Sequence, residues 1–397
     1  MDPIIQTIQD IQLVGGLTAL NLDRSPVCMA PVTTMNFDIT GRINACCYNR
    51  PYAFGKYPEQ RLHDIWFGKA RTKLLDEINK YNFDLGCTLC RHQICIQNQH
   101  ALIKQFDKRD LTNYIGYPSA LEFECDNTCN YECIMCGGKW SSSIRRNREQ
   151  LPAIKMPYDD DFVKQLDEFI PHLTYVSCCG GEPFVSSLYF KIWNRIAKLN
   201  KGCCVCVTSN CSIYNDKVED ILNRLPYMTV TASIDSFNKK TYEFIRKNGN
   251  YDNVMKNIHT LLARKRLVWI NFCPMKYNIY EVPQVMEFCE LNNVDITFIP
   301  IHEPLGGKLK GIHQGGKYEY AYSGETVEPA RLPDTCLSQI PFIEDFLLST
   351  LPQQELKNIC KMLEKTRERC GSHFPERKQR YVGSINSLYS QINSLLK

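Results

Sequence analysis

Apolar and polar residues follow two periods along this chain, and the switching between them sets out its plan. From residue 118 onward, short apolar runs of strand length are separated by longer stretches in which apolar residues recur every three to four positions. The first pattern is that of a buried strand and the second that of an amphipathic helix. Strands are predicted at residues 118–124, 174–178, 204–208, 228–234, 268–274 and 296–301. Helices are predicted at 159–173, 188–199, 216–225, 239–246, 251–264 and 282–291. Such alternation implies parallel βαβ units with right-handed crossovers, and in parallel barrels the chemistry gathers where strands end.

The flanks read differently. Residues 28–38 form a β-like stretch that reverses at Thr40-Gly41 and returns through 42–47, a hairpin signal. A loop with Pro51, Gly55 and Pro58 follows, then helical spacing over 59–67 and 69–80. Residues 302–333 are Gly-rich without a period and read as a long loop or irregular hairpin, placed to act as a lid over the barrel opening. Residues 337–369 and 377–397 read as helices, the last with an apolar stripe of Val382, Ile385, Leu388, Tyr389, Ile392 and Leu395. The chain therefore divides into 1–116, 117–302 and 303–397.

Composition narrows the class. A length of 397 residues suits two or three domains, or one large barrel with attachments. The net charge of +4, with no basic patch interleaved with aromatics, makes nucleic acid an unexpected partner. No apolar run is long enough to span a bilayer, and Met1-Asp2-Pro3 lacks the start of a secretory signal, so a cytoplasmic location is expected. Cysteine is the outlier, at 21 residues, and without a secretory signal metal or redox roles outrank disulfides. Cys203, Cys204 and Cys206, in an apolar run, read instead as small buried hydrophobes.

One group of thiols stands apart. Cys129, Cys133 and Cys136 form a C-x-x-x-C-x-x-C run directly after a predicted strand. Three thiolates can hold three irons of a 4Fe–4S cluster and leave the fourth open to a ligand. A zinc knuckle is the competing use of such spacing. Further along, Gly180-Gly181-Glu182-Pro183 and Ala232-Ser233-Ile234-Asp235-Ser236 each follow a strand run. These three motifs, in this order over residues 117–302, resemble the radical S-adenosylmethionine (SAM) superfamily.

The resemblance implies a partial (β/α)6 barrel, a 4Fe–4S cluster on Cys129, Cys133 and Cys136, and SAM on its open iron. Gly180, Gly181 and Glu182 would hold the methionyl ammonium, with the glycines allowing close backbone approach. Ser233 and Asp235 would bond the carboxylate or ribose, and Arg246 would pair with the methionyl carboxylate. Ser209 and Asn210 would contact ribose, with Asn271 in the analogous place on the fifth strand. Met135 stands where relatives carry an aromatic residue near the adenine, and Cys125 is one thiol more than the triad needs. The implied chemistry is reductive cleavage of SAM to methionine and a 5′-deoxyadenosyl radical, which takes a hydrogen atom from a substrate.

The N-terminal segment offers a second thiol set. A hairpin lays its ends side by side, so Cys28 and Cys46 face one metal with Cys87 and Cys90 of a later C-x-x-C. Cys47 and Cys95 are alternative ligands, and structural zinc is an alternative occupant. This spacing, with Leu62-His-Asp-Ile-Trp-Phe-Gly68, resembles the SPASM and twitch auxiliary-cluster modules, here ahead of the barrel instead of behind it. It implies a small α+β domain with one auxiliary Fe–S cluster, of the 4Fe–4S type by that likeness.

The expected function is a radical SAM enzyme acting on a peptide or protein by oxidation, crosslinking or epimerisation. The alternative is epimerisation or dehydrogenation of a sugar or other small polar metabolite. Cys211 and Cys273, at strand ends, are candidate hydrogen donors. An external one-electron donor, flavodoxin- or ferredoxin-like, is the expected protein partner.

Overall fold

The structure is a computed structural model that describes residues 12–98, 101–107, 116–299, 351–372 and 375–396, with residue 348 and the short pairing of 318–319 with 326–327. The loop expected at 302–333 lies outside the described residues apart from that pairing, as does the start of the helix expected at 337–369.

Six parallel strands form the body: β4 (Ala120–Phe123), β5 (Tyr175–Cys178), β6 (Cys204–Ser209), β7 (Met228–Ser233), β8 (Leu267–Phe272) and β9 (Asp295–Phe298). Each lies within or beside a predicted run. The crossover helices begin where a short polar side chain can close the first turn. Asp159 accepts from the Phe162 N–H, Asn215 from Val218, Asn238 from Thr241 and Asn250 from Asn253. The helix expected over 159–173 stops at Gln165 and continues as two short 3-10 turns, the second with Pro171 in its first turn.

Strand composition explains the shape. Val205, Val207, Val230, Ile270 and Phe272 are buried against helices, while the residues between them are half-buried or polar. A strand buried on both faces reads as a continuous apolar run. The alternation here leaves a polar inner face, carrying Cys206 and Thr231 in side-chain contact and Trp269 donating to Thr297 Oγ1.

The sheet does not stop at β4, and it does not close. Its order is β3-β2-β1-β4-β5-β6-β7-β8-β9. β1 (Thr34–Phe37) pairs in parallel with β4, setting Asn36 beside Glu122 and Phe37 beside Phe123. The antiparallel β2 (Arg42–Asn44) and β3 (Ala53–Lys56) follow. Phe37 stacks on Phe123, ring centroids 5.0 Å apart, so hairpin and body share a core as well as a sheet. β3 occupies the segment expected as a loop; as an edge strand it tolerates the Gly and flanking prolines that suggested one. Residues 30–33, expected as strand, make one helical turn, with Pro31 at its start and Thr33 Oγ1 donating to the Met29 carbonyl.

Two helices cover the far edge. The first, Gln353–Arg369, packs on the second, Lys378–Ser394, which lies along β9. Ser384 donates to the Ile296 carbonyl, Tyr381 to those of Cys289 and Val294, and Arg377 and Arg380 pair with Asp295. Ile385, Leu388 and Ile392 of the expected stripe are buried there. Covering an edge strand in this way blocks pairing with other chains. Among the described residues no helix is long and apolar enough to cross a membrane.

Candidate functional site

The thiols Cys129, Cys133 and Cys136 lie on the loop after β4, which is pinned from two sides. Backbone N–H groups of Glu132 and Ile134 donate to the carbonyls of Lys247 and Ile245. Ser143 Oγ donates to the Cys129 carbonyl and Ser141 Oγ to that of Tyr131, at 2.8 and 2.7 Å. Arg148 reaches the carbonyls of Cys133 and Cys136. The basic segment after the cysteines thus holds the loop that carries them. Burial pushes all three thiols up, and each of Cys133 and Cys129 adds to the rise at Cys136. Bound iron would reverse that shift, because a coordinated thiol is deprotonated. Cys125 is fully buried, its thiol toward the Phe37 carbonyl and away from the triad's loop contacts.

Gly180 and Gly181 have φ of +85° and +56°. A Cβ on Gly181 would stand 2.4 Å from the Thr128 carbonyl oxygen, and one on Gly180 3.0 Å from that of Asp126. Their close approach is therefore to the cysteine loop itself. Gly181→Ala should shift that loop: a loss of roughly 1–3 kcal/mol in urea unfolding and a lower iron content after anaerobic reconstitution are expected.

Glu182 turns inward. Its Oε1 accepts from Ser209 Oγ at 2.8 Å and the Phe184 N–H at 3.1 Å, and its Oε2 from the Asn210 N–H at 2.6 Å. It joins the end of β5 to the end of β6. Asn210 continues the link through Asn130, which donates to Ser212 Oγ. Burial raises Glu182 to about 6, against the lowering by these donors. The folded pKa lies above the ordinary value of 4.5, so this contribution to stability is complete below pH 4.5 and is lost as pH rises through 6. About 2 kcal/mol is involved. Urea titrations between pH 4.5 and 7 should show that slope in the native protein and not in Glu182→Gln.

Asp235 and Arg246 form the other half of the site. Arg246 Nε lies 2.8 Å from Asp235 Oδ2, both nearly solvent-free, and an Arg246 Nη is 3.9 Å from Cys133 Sγ. Burial opposes the guanidinium charge, but Asp235 together with Cys133, Tyr242 and Cys273 outweighs it and holds Arg246 firmly protonated. The ion pair lacks hydrogen-bond alignment, so Asp235 Oδ2 and Arg246 Nε have no hydrogen-bond partner among the described residues. Asp235 Oδ1 accepts from the Cys273 N–H. Asn278, which the sequence did not single out, donates to the carbonyls of Asp235 and Cys273 and accepts from Met275. Its only sequence signal was that of a turn residue. Met135 packs with Ile134, Ile245, Met275 and Cys273. Ser233 ends β7 beside Asn271. Of the two candidate hydrogen donors, Cys273 is half-buried next to the ion pair, whereas Cys211 is buried with its Sγ against the Ser209 carbonyl.

The second thiol set also comes together. Cys28, Cys46, Cys87 and Cys90 line one apolar pocket, whose lining includes neither Cys47 nor Cys95. After burial, Cys28 feels Cys46, Cys90 and Cys87, and Asn49 donates to Cys87 Sγ at 3.3 Å. The C-x-x-C opens a helix, Thr88–Cys95, as well as following one. Among the described residues, no three His, Cys, Asp or Glu side chains are arranged to grip one metal ion. A single zinc draws thiolates in to bonds of about 2.3 Å, while a four-iron cluster spreads its ligands over separate irons.

The profile of the radical SAM superfamily matches residues 124–289, and that of SPASM, an iron–sulfur cluster-binding domain, matches residues 28–92. This chain carries a radical SAM domain preceded by a SPASM domain. A probable GTP 3′,8-cyclase of Methanocaldococcus jannaschii is 26% identical over 199 residues, 47% of this chain and 61% of that protein. The GTP 3′,8-cyclase of Saccharophagus degradans is 24% identical over 181 residues, 45% and 52% of the two chains. This chain thus matches between about half and three-fifths of the length of these relatives. Streptococcus suis SuiB bound to S-adenosylmethionine is similar in structure with a TM-score of 0.39 at 17% identity, covering 60% of this chain and 53% of that one. The radical SAM and SPASM domains bring with them a 4Fe–4S cluster, SAM and an auxiliary iron–sulfur cluster. The residues fit that set: three thiols on one pinned loop, a buried ion pair beside one of them with atoms left to bond, and four thiols around one pocket.

Proposed function

We propose that this protein is a radical SAM enzyme that cleaves SAM reductively and removes a hydrogen atom from a peptide or protein. The observation that carries the reading is the Arg246–Asp235 pair, with unfilled hydrogen-bonding atoms, set against Cys133. A guanidinium there suits the methionyl carboxylate. Cys129, Cys133 and Cys136 would hold the cluster, whose open iron supplies the reductive cleavage. Glu182 and the two glycines brace the loop under it, Met135 offers an adaptable apolar surface to the adenine, and Ser209, Asn210, Ser233 and Asn271 edge the same space. Cys28, Cys46, Cys87 and Cys90 would hold the auxiliary cluster, which can accept an electron from a substrate radical. A flavodoxin- or ferredoxin-like protein would supply the first electron. Every described cysteine is a free thiol, which fits the reducing cytoplasm.

Anaerobic incubation of reconstituted, reduced protein with SAM should release 5′-deoxyadenosine and methionine; their absence would end the proposal. A small polar metabolite is the second reading, favoured by the likeness to GTP 3′,8-cyclases and by the polar inner face of the sheet. For an epimerase, a solvent deuterium in the re-isolated substrate would mark return of hydrogen from a thiol, and loss of that label in Cys273→Ala would assign it.

A further inference from the structure

One set of buried polar atoms takes no part in the site just described. Asn36 on β1 and Asn44 on β2 are register partners, each 0% exposed. Oδ1 and Nδ2 of Asn44, and Oδ1 of Asn36, have no hydrogen-bond partner among the described residues. A buried amide in that state is costly unless something fills it. Both side chains lie on the face opposite Phe37 and Ile43, which are in the core, and Asn36 Nδ2 is 3.5 Å from Glu122 Oε2. Glu122 also acts on Cys47, next to the auxiliary ligand Cys46. Cys179, next to Gly180, feels Glu124 and Cys47. Both asparagines thus lie on the inner face of the sheet, Asn36 beside Glu122 and Asn44 two residues before the auxiliary ligand Cys46.

We propose that Asn36 and Asn44 form a substrate subsite for an amide edge, an N–H beside a C=O on the same side, as in a primary carboxamide or a lactam. Asn44 offers one donor and one acceptor edge to edge, which such a group fills at once, as Asn does on a base edge. A trans peptide unit does not, because its N–H and C=O point in opposite directions. The Glu122 carboxylate beside Asn36 disfavours an anionic group, whereas Glu124 is paired with Arg50. The subsite rests on the reading of the inner face as a radical SAM substrate site. Its chemistry has two sources, a side-chain carboxamide of a peptide or the lactam edge of a base.

The test uses the full chain with its clusters, labelled with 15N at asparagine, and follows the side-chain NH2 resonances. Acetamide, 2-pyrrolidone and N-methylacetamide are added in turn. Saturable shifts at Asn44 and Asn36 are expected with acetamide or 2-pyrrolidone at concentrations at least tenfold (~10-fold being one good hydrogen bond) below those needed for N-methylacetamide. Tighter acetamide names the carboxamide source and tighter 2-pyrrolidone the lactam. Asn44→Leu, checked by circular dichroism, should melt higher and lose the saturable shift at Asn36. No saturable shift, equal potency of N-methylacetamide, or an undiminished Asn36 response in Asn44→Leu overturns the subsite. SAM cleavage by the native protein is measured in the same preparation: amide shifts without 5′-deoxyadenosine would sink the functional reading and leave the subsite standing.

Discussion

Cys133→Ala is expected to reduce SAM cleavage to background while leaving the chain folded. Its thiol is one of three carried by the loop after β4, and an iron without its thiolate is lost or taken by solvent. The loop keeps its other ties, because Ile134, Glu132 and Arg148 hold it through backbone atoms that the substitution does not touch. Cys129→Ala and Cys136→Ala should behave alike. Iron content should fall by roughly the share of one cluster, with the auxiliary cluster's absorption remaining. Cys125→Ala is the control: its thiol is buried toward the Phe37 carbonyl, so cluster and cleavage should persist. Full 5′-deoxyadenosine formation by Cys133→Ala would refute the assignment.

Arg246→Leu carries the second large effect, and it falls on stability and cleavage together. Removing the guanidinium leaves Asp235 buried without a counter-charge, a loss of about 3–5 kcal/mol for breaking a buried pair from one side. Replacing both partners with apolar residues is often close to neutral, so Asp235→Leu with Arg246→Leu should recover most of the stability. It should not recover SAM cleavage, since the group proposed to meet the methionyl carboxylate is gone. Urea unfolding and 5′-deoxyadenosine formation on the three variants separate the two roles. Recovery of both in the double variant would make the pair purely structural.

Much of the design was legible because period and punctuation agreed. The six parallel strands were visible as apolar runs, and four of the helices between them began at an Asn or Asp cap. Cys28, Cys46, Cys87 and Cys90 could be grouped because a hairpin and a C-x-x-C limit which thiols meet. What stayed hidden depended on partners distant in sequence. Nothing in Gly180-Gly181 says that the surface pressed against it is the Asp126–Thr128 backbone. Glu182 reads as a ligand-facing carboxylate until its three donors on neighbouring backbone and side chain are seen. The parallel pairing of β1 with β4 joins residues 86 apart, and hydrophobic pattern alone carries no pairing information. Asn278 is ordinary in sequence and decisive only because its amide meets two carbonyls at once.

The continuous ladder from the hairpin into β4 makes the two cysteine centres parts of one rigid frame. A chain begun at residue 117 would bare the whole edge of β4 to water and strip Phe123 of its stacked neighbour. Such an edge recruits foreign strands. The N-terminal module is thus no detachable accessory, and the electron-accepting role proposed for it can be dissected only by single thiol replacements that leave the backbone whole.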